Sequence, residues 1–99
     1  MSQLSLLPKI IFRDFNGLIA SGDKYRERKD WNRAASAYRS ALDIDPAPAD
    51  IWMQLGHAYK ETGQLPKAGE AYFKAIELEP GDADNNLQLG HYHKVCGEM

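Results

Sequence analysis

Cys96 is the only cysteine in the chain, so an internal disulfide cannot form. A single thiol is compatible with a reducing compartment, and the expected location is cytoplasmic. Long apolar runs are missing as well. The stretch LLPKIIF (6–12) is short and interrupted by Pro8 and Lys9, which excludes a membrane span and makes a poor signal sequence. Neither sign of charge dominates: 12 basic and 14 acidic residues leave a net charge of -2. Bulk attraction to nucleic acid or to an anionic membrane is therefore not expected. Sustained alternation and β-branched residues are scarce, so strands have little support. With 99 residues, 43% of them hydrophobic, the chain suits one modest folded domain and not two.

What the sequence does contain is a repetition. QLGHAYKETG (54–63) returns as QLGHYHKVCG (88–97), 34 positions later. The same shift aligns Gly22, Gly56 and Gly90, and then Tyr25, Tyr59 and His93. It also aligns Ala34 with Ala68, Tyr38 with Tyr72, Ala41 with Ala75, and Pro46 with Pro80. The matches fall on small, aromatic and proline positions, where packing geometry is least forgiving. An internal repeat is the direct reading.

Within one period the spacing is helical. Trp52, Leu55, Gly56 and Tyr59 follow i, i+3, i+4, i+7. Gly63 then breaks the pattern, Leu65 to Ile76 resumes it, and Pro80-Gly81 ends it. The pattern predicts helices near 15–28, 31–44, 49–61, 65–78 and 83–96. A leader at 1–14 is expected to be helical from about Pro8 and continuous with the first of these. Asp82 is a candidate N-cap for the last. Gly56, Ala68 and Ala75 lack bulk where two helices must approach, and Trp52, Tyr59 and Tyr72 fill the neighbouring space. Glycine inside a helix costs about 0.5–1 kcal/mol relative to alanine. Its return at one phase three times predicts a close contact at each.

These residues resemble the tetratricopeptide repeat. The second unit carries the family's pattern as Trp52, Leu55, Gly56, Tyr59, Ala68, Tyr72, Ala75 and Pro80. The first keeps Gly22, Tyr25, Ala34, Tyr38, Ala41 and Pro46, with Leu18 and Ser21 at the tryptophan and leucine positions. The third shows only its first half, as Asn86, Leu89, Gly90 and His93. The resemblance implies an all-α, right-handed superhelix of antiparallel helix pairs, with repeats at 15–48 and 49–82. A leader at 1–14 would precede them, and the first helix of an incomplete third repeat at 83–99 would follow. It further implies a concave groove that binds a peptide or protein, with no catalytic residue, metal or cofactor. By register the groove would present Ile19, Asp23 and Arg26, then Met53, His57 and Lys60, then Leu87, His91 and Lys94. Alternatives are an accessory module of a larger enzyme, such as a bacterial glycosyltransferase or methyltransferase, and a structural fragment that self-associates. A grip on the C-terminal carboxylate of a chaperone is not expected, because the basic residues it uses are missing and Asp23 would repel a carboxylate.

Other residues yield to bland readings. His57 and His91 lie a full period apart, without metal-binding spacing, and are expected to make ordinary hydrogen bonds. His93 replaces a packing tyrosine and is expected to be partly buried. Cys96 has no nucleophilic partner. KYRERKD (24–30) mixes signs and reads as solvated helix surface. The apolar leader residues Leu4, Leu6, Leu7, Ile10, Ile11 and Phe12 exceed what a solvent-facing cap needs. At the other end, Leu87, Leu89, Tyr92 and Val95 exceed what one neighbour can cover. Both ends therefore suggest self-association. Met1 fits an authentic start, while residue 99 falls in mid-unit.

Overall fold

Helical periodicity with little strand propensity yields five α-helices: α1 (Ser2–Glu27), α2 (Trp31–Ile44), α3 (Ala49–Glu61), α4 (Leu65–Leu78) and α5 (Ala83–Gly97). The structure, a computed structural model, describes the backbone of residues 2–97 and the side chains of residues 14–97. Among these residues there is no strand. The ranges of α2, α3 and α4 are those the spacing predicts. Helix α1 begins upstream of Pro8, and α5 runs one residue past the expected end. The expected surplus of apolar leader side chains lies outside the described residues.

The helix ends are built from local chemistry that repeats with the sequence. After α3 the chain turns through Gly63 at φ 79°. The amide of Gly63 donates to Lys60 O at 3.0 Å and that of Gln64 to Tyr59 O at 2.9 Å. The α1–α2 turn makes the equivalent bonds, Lys29 N to Arg26 O and Asp30 N to Tyr25 O. This is a left-handed helix C-cap with two return bonds. In the first turn Lys29 holds it at φ 61°, without glycine's conformational freedom. At the start of α5, Asp82 Oδ1 accepts the Asn85 amide at 2.9 Å, the cap expected there.

Successive helices pack on one another, α1 on α2, α2 on α3, α3 on α4 and α4 on α5, with α5 also reaching α3. The result is an all-α solenoid of helix pairs. Its core joins Ala34, Ala35, Tyr38 and Leu42 of α2 to Ile51, Leu55 and Ala58 of α3 and Ala71 of α4. Alanines bring the backbones close, and the larger side chains supply the hydrophobic gain. Leu55 is fully buried, and such a side chain contributes about 1.5–3 kcal/mol.

The glycine phase has a specific meaning. A Cβ on Gly22 would lie 2.6 Å from Tyr38 Cε1, and one on Gly56 would lie 2.8 Å from Tyr72 Cδ1. Each notch therefore receives the tyrosine of the second helix in its own pair. Gly90 corrects the expectation of a third contact. A Cβ there would meet nothing within 4 Å, because no second helix follows α5 among the described residues. His93 is a second correction: it is exposed. Its counterparts Tyr25 and Tyr59 are covered by Arg33 and Lys67 from the following helix, at 6.0 and 5.7 Å from the ring centroids. Among the described residues no such helix follows α5. The packing aromatic of α5 is Tyr92, which lies over Gly69 and edge-on to Tyr72.

One departure from the repeated pattern preserves its chemistry. Trp52 Nε1 donates to Pro46 O at 2.8 Å. Asn86, one period later, donates its amide to Pro80 O at 3.4 Å and to Asp82 O at 2.8 Å. The polar anchor on the preceding loop survives the loss of the indole.

Candidate functional site

The first helix of each pair and α5 contribute side chains to one cleft. Between α1, α3 and α5 lies a cleft of about 320 Å³ lined by Arg26, Met53, Gln54, His57 and Gln88. The structure thus brings together three of the nine groove residues placed by register. The others sit around this centre or away from it. Ile19 is half-buried against the core. Lys60 is half-buried on α3. Leu87 is 55% exposed, while His91 and Lys94 are exposed on α5.

Gln54 and Gln88 were absent from the nine residues placed in the groove by register. The signal for them was present, since each opens one of the two near-identical decapeptides. They stand at one repeat phase on successive groove helices. A glutamine amide offers both a donor and an acceptor, as does each residue of an extended peptide backbone. Trp31 was missed too. It reaches across from α2 to meet the His57 ring edge-on, with centroids 5.1 Å apart.

Asp23 behaves differently from its expected role as a repulsive carboxylate. Its Oδ1 accepts the Tyr38 hydroxyl at 2.6 Å and lies 3.6 Å from Arg26 Nη1. The hydroxyl and guanidinium offset its charge. At the matching point of the second pair stands His57, whose Nε2 is 3.9 Å from Glu61 Oε1, beyond hydrogen-bonding reach. Burial holds the His57 imidazole below its ordinary pKa, with Lys60 adding to the effect. The cleft therefore carries a neutral ring at pH 7.

Because Asp23 has no carboxylate counterpart in the second pair, the buried Tyr72 hydroxyl has no hydrogen-bond partner among the described residues. Two equivalent substitutions should then differ in sign. Tyr38→Phe removes a charge-assisted bond and lowers stability by about 1 kcal/mol, whereas Tyr72→Phe is neutral or stabilising by up to about 1 kcal/mol. Urea unfolding of both variants checks this; equal losses would contradict it.

Among the described residues, no group of three or more His, Cys, Asp or Glu side chains could hold a metal ion, and no helix is long and apolar enough to cross a membrane. His57 and His91 do not share the cleft, since His91 is absent from its lining. Cys96 is half-buried near the end of α5.

Comparison with known proteins agrees with the repeat geometry. A family model described as TPR repeat matches residues 22–63, and one described as tetratricopeptide repeat matches residues 49–82. No curated protein matches the chain by sequence. Among solved structures the chain is similar to the Arabidopsis OM64 TPR domain, with a TM-score of 0.81 and 18% identity. That match covers 89% of this chain and 73% of the other. Glycine notches filled at a 34-residue period, helix pairs stacked in sequence and two consecutive family matches lead to one conclusion: the chain belongs to the tetratricopeptide-repeat family.

Proposed function

We propose that this chain binds an extended peptide segment of a partner protein in the cleft between α1, α3 and α5. As a member of its family it is a protein-interaction module, and the proposal adds the place and the form of the ligand. The observation that carries it is the recurrence of Gln54 and Gln88 in one cleft, beside Met53. Two amides one repeat apart suit the alternating donors and acceptors of an extended backbone, while Met53 supplies an adaptable apolar contact. Arg26 and His57 flank them and would discriminate among side chains. The division into repeats at 15–48 and 49–82, followed by 83–99, belongs to the same proposal, as does action by binding without catalysis.

Selection of random peptides against the full chain tests this reading. The selected peptides are expected to shift the side-chain amide resonances of Gln54 and Gln88. Met53→Asp, at the centre of the cleft, is expected to weaken them by at least about tenfold, as for a buried interface residue. Undiminished binding to a Met53→Asp/Leu87→Asp variant would remove the groove as the binding surface.

A further inference from the structure

The 34-residue register exposes a second surface, at the front of the solenoid. In the second pair, Ile51, Leu55 and Ala58 of α3 with Ala71 of α4 form the apolar seat on which α2 packs. One period earlier the same positions are Gly17, Ser21, Lys24 and Ala37. The backbone offers a seat of the same kind, yet its side chains are small, hydroxylated or cationic. Ser21 and Tyr25 join two adjoining clefts there. One, of about 280 Å³, is completed by Lys24 and Arg28. The other, of about 360 Å³, is completed by Leu18, Arg33, Ser36, Ala37 and Ser40.

The lining of this seat is mostly cationic, although Glu27 is exposed in the same turn as Lys24 and Arg28. Three cations, four hydroxyls and no carboxylate line the two clefts, in a chain whose net charge is -2. Arg33 is partly offset by Asp30 at 3.3 Å, and Asp14 lies at the far, apolar end beside Gly17 and Ile44. Lys24 and Arg28 are both exposed and stand i, i+4, on one side of the chain as it leaves α1. Arg26, which serves the concave cleft, is two residues from Lys24 and projects elsewhere.

We infer that this front seat docks an acidic amphipathic helix of a partner protein. That helix would lie where α2 lies in the next pair, with small residues over Gly17, Ser21 and Ala37 and carboxylates toward Lys24, Arg28 and Arg33. The repeat geometry supplies the shape of the occupant, and charge complementarity supplies its chemistry. The surface is independent of the peptide groove.

The test uses the full chain and a synthetic helical peptide with alanines at i, i+4 on one face and glutamates beside them. Its glutamine counterpart serves as the reference. The acidic peptide is expected to bind about tenfold more tightly than the glutamine peptide, with the difference shrinking as salt rises. Lys24→Glu/Arg28→Glu should abolish that preference, and Met53→Asp should leave it intact. Both cations are exposed, so the double variant should keep its helical circular dichroism. Equal affinity for the two peptides, no measurable binding, or loss of binding in Met53→Asp would each overturn the inference.

Discussion

Above pH about 10 the protein should unfold in a single step that coincides with ionisation of Tyr38 and Tyr72. Both rings are buried, at 0% and 1% exposure. Burial is the main force opposing their ionisation, and Tyr38 is further protected because its hydroxyl donates to the Asp23 carboxylate. In the unfolded chain the same phenols titrate near 10. Each folded-state pKa is thus raised, so each contributes stability that is complete below about pH 10 and is lost as pH rises further. The loss is about 1.4 kcal/mol per pH unit for each ring. Two rings over two units lose roughly 5 kcal/mol, comparable with the whole stability of a small domain. Tyrosinate absorbance and far-ultraviolet circular dichroism should therefore change together for these two rings. A smooth titration of all five tyrosines with the helices intact would show that the rings are not locked in the notches.

Alanine at Gly56 should cost about 2 kcal/mol, and alanine at Gly90 should add about 0.5–1 kcal/mol. The two glycines occupy the same phase of the repeat, so local helix propensity is the same gain in both. The difference is tertiary. A Cβ at Gly56 would lie 2.8 Å from Tyr72 Cδ1 and Cε1 and 3.2 Å from its Cγ. Cγ sits next to the backbone and cannot swing aside, and Tyr92 stands against the same ring, at a centroid distance of 5.7 Å. Overpacking therefore outweighs the helical gain. At Gly90 nothing lies within 4 Å, so only the helical gain remains. For a domain of this size each kcal/mol moves the melting temperature by about 4–8 °C. Thermal melts of the two variants should thus shift in opposite directions. Shifts of the same sign would mean that the glycine phase does not mark a helix contact.

The functional geometry was legible to different depths. Met53, Arg26 and His57 could be placed in the groove by carrying a family register onto the residues. Gln54 was legible in principle, because identical glutamines recur one period apart. Trp31 was not, since its approach to His57 joins residues from different helix pairs. The bond between Asp23 and Tyr38 was not legible, because the two residues lie fifteen positions apart. His93 was misjudged because an aromatic slot needs a covering helix, and sequence phase does not say whether one is present.

The amino-acid sequence by itself determined the helices, their turns and the period. Those depend on local rules: apolar spacing, glycine or a tolerated left-handed residue at the turn, and proline at the exit. Tertiary structure alone decided which repeats of a motif are equivalent in more than name. Gly22, Gly56 and Gly90 are one residue type at one phase, yet only two of them hold a tyrosine. Ile51 and Gly17 share a phase, yet one underlies a helix and the other opens to solvent. The reason is physical: a side chain's energy in a solenoid depends on the neighbouring layer, and among the described residues the outermost layers have a neighbour on one side only.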